Sequence, residues 1–218
     1  MKPVTTTDLL RELIHYNFFD WDDENEEKQN LIVYGMPQNI LDDVHISNFY
    51  KSWGFDALNN SAAKVEIIEH QWRKLEDYFF EWLSKAENLI FPTNKVIFTP
   101  DLETYWTHDL PDWASDCDWI QKQYKEYTTC LEENRIIAPV TLIKNDYRSG
   151  KIENFRDLEI IGRMAVKSFP ILFLSDYQMV IRLTEYLTLE VFFKDGKQMD
   201  IHRQIMDILS PQVLKKAL

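Results

Sequence analysis

One change of rhythm constrains the fold of this chain more than any other feature. Val65, Ile68, Trp72, Leu75, Phe79, Trp82, Ala86 and Leu89 recur at alternating intervals of three and four. An α-helix turns once in about 3.6 residues, so this spacing lines one face of a long helix. Trp113, Cys117, Ile120, Tyr124, Tyr127 and Leu131 repeat the pattern, with Pro111 suited to a first turn that starts near Asp109. Beyond residue 170 the rhythm changes. Ile171 to Leu174, Tyr177 to Thr184 and Leu187 to Phe193 are short β-branched and aromatic runs, parted by Ser175-Asp176 and Glu185-Tyr186 and stopped by Asp195-Gly196. They predict a three-stranded antiparallel meander. Helices gathered early and strands gathered late favour an α+β fold over a doubly wound one. The expected architecture is two long packed amphipathic helices plus the C-terminal meander in a mixed sheet, with shorter flanking helices.

Smaller elements fill the intervals. Thr5 followed by Asp8 resembles a capping box, and Leu9, Leu10, Leu13 and Ile14 give the first helix an apolar stripe that ends near Asn17. Leu31 to Tyr34 reads as a strand ended by Gly35-Met36-Pro37, and Lys95 to Thr99 as another closed by Pro100. Ile136 to Ile143 reads as a buried strand. Asn154 to Lys167 reads as a helix with Phe155, Leu158, Ile161 and Ala165 inward, weakened by Gly162. Ile201, Ile205, Ile208 and Leu209 mark a last helix before Ser210-Pro211. Between residues 38 and 60 the pattern offers only a short helix over Ser47 to Trp53, stopped by Gly54. With no repeat and no low-complexity linker, residues 1–218 form one expected domain.

At 218 residues and 45% hydrophobic content the chain can bury a sizeable core. No run supplies the roughly 20 apolar residues of a membrane span, and the first residues lack the apolar run of a secretory signal. Cys117 and Cys130 lie on one expected helix about 20 Å apart, beyond the reach of a disulfide. Unbridged cysteines suit a reducing compartment, so the expected location is the cytoplasm.

Charge is unevenly placed. The 36 acids and 24 bases give −12 overall. Residues 1–118 hold 23 acids and 9 bases, a balance of −14, and the remainder 13 acids and 15 bases, a balance of +2. Such an excess disfavours binding nucleic acid through its phosphates and suits a basic protein partner. Its densest part is Asp20 to Glu27, six acids in eight residues, which repel one another into a solvated loop.

Most chemistries lack their residues. The five glycines, at 35, 54, 150, 162 and 196, never cluster into a phosphate cradle. No Gly-x-Ser-x-Gly elbow occurs. Read as a calcium loop from Asp20, the sequence has Asn25 in place of the turn glycine and Leu31 in place of the closing acid. His108, Asp112 and Asp116, four apart, could aim an imidazole and two carboxylates along one side of a helix and hold a metal. A helix starting near Asp109 leaves His108 outside the regular turns, and acids near a helix N-terminus are favoured by the macrodipole alone. Cys117 is flanked by Asp116 and Asp118, whose charge discourages a thiolate. Asp195-Gly196 is ordinary turn chemistry.

The expectation is an acidic intracellular binding protein, an inhibitor or immunity-type protein that neutralises a basic partner such as a toxin, with no cofactor. Its contact residues are Asp20, Trp21, Asp22, Asp23 and Glu24, with Trp106, Asp109, Asp112, Asp116 and Asp118, aromatic anchors set among carboxylates. The alternatives are a hydrolase-like metal enzyme using His108, Asp112 and Asp116, and a structural or oligomerising module using aromatic stripes.

Overall fold

The computed structural model describes residues 1–19, 30–35, 62–90, 96–100, 106, 110, 117–137, 147–175, 178–185 and 187–204; for 62–71, 88–90, 147 and 148 it describes the backbone alone. Seven strands form one sheet: β1 (Lys2–Thr5), β2 (Asn30–Gly35), β3 (Ile97–Pro100), β4 (Tyr147–Lys151), β5 (Ile171–Ser175), β6 (Met179–Leu183) and β7 (Thr188–Phe193). Their order across the sheet is β1-β4-β3-β5-β6-β7-β2. The helices are α1 (Thr6–Leu13), extended by a 3₁₀ turn over Ile14–Tyr16, α2 (Ala62–Ile90), α3 (Asp118–Glu133), α4 (Phe155–Ala165) and α5 (196–204). Among these, none is long and apolar enough to cross a membrane.

The expected α+β class and the meander are both present, but every strand pairing is antiparallel, where a mixed sheet was expected. Helices between strands permit parallel crossovers. Here they return the chain in the opposite direction instead. The two hairpins of the meander share one construction. Gln178 N–H donates to Ser175 O at 2.9 Å and Leu187 N–H to Thr184 O at 3.0 Å. Both donors sit at positive φ, 55° and 54°, the arrangement of a three-residue loop closed by a left-handed residue.

Alternation along the strands sorts two cores. Leu172, Leu174, Val180 and Phe192 meet Leu9 of α1, Tyr16 of its extension and Phe19 just beyond it. Phe173, Ile181, Leu189 and Val191 point the other way, onto Phe79, Phe80 and Leu83 of α2 and Leu158 and Ile161 of α4. Each fully buried Leu or Phe contributes roughly 1.5–3 kcal/mol. Capping begins α1 and α4 in the same way. Thr5 accepts from Asp8 N–H at 3.1 Å, and Asn154 from Asp157 N–H at 3.0 Å while Asp157 accepts from Glu153 N–H.

Gly162, read from sequence as a weakness of α4, has a packing role: a Cβ there would lie 2.8 Å from the Phe80 ring and 2.9 Å from Leu183. It lets α4 sit close to both α2 and β6. The strand expected over Ile136 to Ile143 is not where the chain forms β4. Ile136 and Ile137 lie in the bend that ends α3, residues 138–143 lie outside the described residues, and the strand runs over Tyr147–Lys151. Gly150 explains the choice. A Cβ at that position would come within 2.5 Å of Phe98 and 2.6 Å of Ile136, so only glycine lets β4 approach β3 there. The second long helix also starts later than expected, at Asp118 with Cys117 as its cap residue, instead of near Asp109. The helix expected over Ser47 to Trp53 lies outside the described residues.

Candidate functional site

Of the residues that the sequence nominates for partner binding, Trp106 and Asp118 are described; Asp20, Trp21, Asp22, Asp23, Glu24, Asp109, Asp112 and Asp116 lie outside the described residues, as does His108. Trp106 is 8% exposed. Its ring meets Phe98 edge-on at 5.4 Å, and its backbone carbonyl accepts from the Tyr127 hydroxyl at 2.9 Å. It is core, which removes it as an exposed anchor. Asp118 is exposed in the first turn of α3, where the helix dipole favours a carboxylate. Among the described residues no group of His, Cys, Asp and Glu is arranged to hold a metal ion. Cys117 is buried and Cys130 half-buried, both as free thiols, and burial raises the Cys130 pKa.

The residues that flank the two acidic stretches lie on opposite faces of the sheet. Phe19, next to Asp20, stacks edge-on against Phe192 at 5.0 Å on the α1 face. Trp106 belongs to the core of the helical face. The described side chains comprise 17 acids and 16 bases, so all but one unit of the −12 falls on residues outside that set. The ion pairs of the described fold are densest where α2, α3 and α4 meet.

At that junction Glu76 is completely buried. Its Oε1 accepts from Arg163 at 2.8 Å and Gln123 at 3.0 Å, and its Oε2 from Lys167 at 2.7 Å. Lys167, also buried, donates as well to the Arg163 carbonyl at 2.9 Å and lies 5.0 Å from the Trp119 ring centroid. Arg163 reaches on to Glu159 at 2.8 Å and Asp77 at 2.9 Å. Burial pulls the Lys167 pKa below its ordinary value, against the attraction of Glu76. Burial also opposes the charge on Arg163, but Glu76 and Glu159 outweigh it and hold its pKa high. Both oxygens of the Glu76 carboxylate are engaged, which suits a clasp between helices. Sequence reasoning passed over Glu76, yet Trp72, Glu76, Phe79 and Leu83 stand four, three and four apart. A carboxylate in step with an apolar stripe was the available sign.

The other feature of note is β2. Thr184 N–H donates to Thr188 O at 3.0 Å. The β6–β7 register then makes Thr188, Glu190 and Phe192 the β7 residues bonded to β6, and leaves Leu189, Val191 and Phe193 to bond β2. Their partners are Tyr34, Ile32 and Asn30. The peptide N–H and C=O groups of Leu31, Val33 and Gly35 therefore point away from the sheet. Val33 is 53% exposed. Tyr34 is held from the other face, its hydroxyl 3.0 Å from Nδ1 of His202 on α5.

Comparison of the chain with family models, with curated proteins and with solved structures found no match.

Proposed function

We propose that this protein binds a basic protein partner through the carboxylates of its first half, in the manner of an inhibitor or immunity-type protein that neutralises a toxin. One observation carries the reading: 23 acids against 9 bases in residues 1–118, six of those acids packed into Asp20 to Glu27 around Trp21. Charges engaged in internal ion pairs have little field left for a partner, whereas a surplus steers association and holds the bound state. The described side chains are nearly balanced in charge, so the surplus lies on the residues outside them. Asp109, Asp112, Asp116 and Asp118 add to the field, with Asp20, Asp22, Asp23, Glu24 and Trp21 making the principal contact. The reading places the protein in the cytoplasm and requires no cofactor.

The test is affinity capture from the native cell at low and high salt, with the protein and with a variant carrying Asp20→Asn, Asp22→Asn, Asp23→Asn and Glu24→Gln. A basic protein should be retained at low salt, released at high salt and lost with the variant. Retention that ignores both salt and the four substitutions removes the electrostatic basis.

A further inference from the structure

The two edges of the sheet are built differently. Edge strand β1 is four residues long, carries Lys2 and Pro3, and shifts register against β4 between Val4 and Thr5. Lys2 is tied to Glu153 at 2.6 Å. A short strand, a proline, a lysine and a bulge are each recognised means of discouraging another chain from pairing. Edge strand β2 has none of them. Asn30-Leu31-Ile32-Val33-Tyr34-Gly35 is uncharged and proline-free, and stays in unbroken register with β7 over all six residues. Among the described residues no strand lies beyond it. Leu31, Val33 and Gly35 turn their peptide groups outward, the arrangement that strand addition uses.

We propose that β2 accepts an extended, lysine- or arginine-bearing segment of the partner as an added strand; this rests on the basic-partner reading above. Charge selects the occupant. Glu27 stands three residues before Asn30, so the acidic run is tied through the chain to the start of β2. The acids from Asp20 to Glu27 thus raise the local concentration of cationic strands. A second copy of the chain would bring another −12 and is disfavoured by the same field.

The test uses a labelled peptide of about seven residues alternating lysine and valine, the length of an ordinary strand. A second peptide of the same sequence has alternate backbone nitrogens methylated. The plain peptide should bind the unaltered protein at least about tenfold more tightly than the methylated one, a difference of roughly 1.4 kcal/mol. It should also lose about tenfold or more with Val33→Pro, which removes an outward N–H and spares the bonds to β7. Equal binding of both peptides, abolished by the four acid-to-amide substitutions at residues 20–24, would overturn strand addition and leave the basic-partner reading standing. Binding that ignores salt and those substitutions would overturn both. A homodimer in light scattering that Val33→Pro dissociates would assign the edge to a second copy and overturn the proposed occupant.

Discussion

Carboxylates occur in two opposite circumstances in this molecule. At the junction of α2, α3 and α4, Glu76 is sealed from water and meets Arg163, Lys167 and Gln123. Ahead of β2, six acids in eight residues have one base, Lys28, within the next residue. The difference separates charge that organises a fold from charge that, in the proposed function, recruits a partner. A buried carboxylate is tolerated only when paired, because desolvation removes several kcal/mol that the partners must restore. Surplus carboxylates in water contribute little to stability and much to association.

Removing one member of the buried network should produce the largest effect. Glu76→Leu leaves Arg163 and Lys167 facing each other without their shared anion and should lower unfolding stability by about 3–5 kcal/mol in urea denaturation. Adding Lys167→Met should recover most of that loss, to within about 1–2 kcal/mol of the unaltered protein, because the stranded ammonium is gone and an apolar chain replaces it. A double variant as unstable as the single one would mean that Glu76 acts through Arg163 alone.

Glu159 sharpens the comparison through pH. Burial opposes its ionisation, but hydrogen bonds from Arg163 and Arg156 prevail and hold its pKa below the ordinary value of 4.5. A carboxyl group with a lowered folded pKa contributes stability that is fully present above its unfolded pKa and lost as pH falls through the folded one. Stability should therefore decline below about pH 4.5, and Glu159→Gln should flatten part of that decline while costing about 1 kcal/mol at neutral pH. The smallest effect belongs to the acidic stretch. Asp20→Asn, Asp22→Asn, Asp23→Asn and Glu24→Gln should each change stability by less than about 0.5 kcal/mol, in the thermal midpoint as in urea, while removing the salt dependence of partner capture.

The elements legible in sequence were those whose own residues dictate them. The stripe of α2, the capping box at Thr5, and the meander from Ile171 to Phe193 carry local signals of period, capping and turn. The elements that the pattern does not announce depend on distant partners. Nothing in Tyr147-Arg148-Ser149-Gly150-Lys151 announces a strand; β4 forms there because Gly150 admits the Phe98 ring and Ile136. Edge strand β1 has a proline and only four residues, and is secured by pairing with β4. The candidate site divides in the same way. The acidic run is a property of the sequence and was visible in it. The burial of Trp106, the carboxylate of Glu76 inside an apolar stripe and the outward amides of β2 arise from packing and register, which connect residues far apart in the chain.

Amide hydrogen exchange, resolved by residue, tests directly whether β2 is an open edge that accepts a cationic strand. The amides of Ile32 and Tyr34, bonded to β7, should exchange slowly throughout; those of Leu31, Val33 and Gly35 should exchange fast in the free protein and slow markedly with the alternating lysine–valine peptide. Slow exchange at Leu31 and Val33 in the free protein, or no change in them when the peptide is bound, would contradict the account.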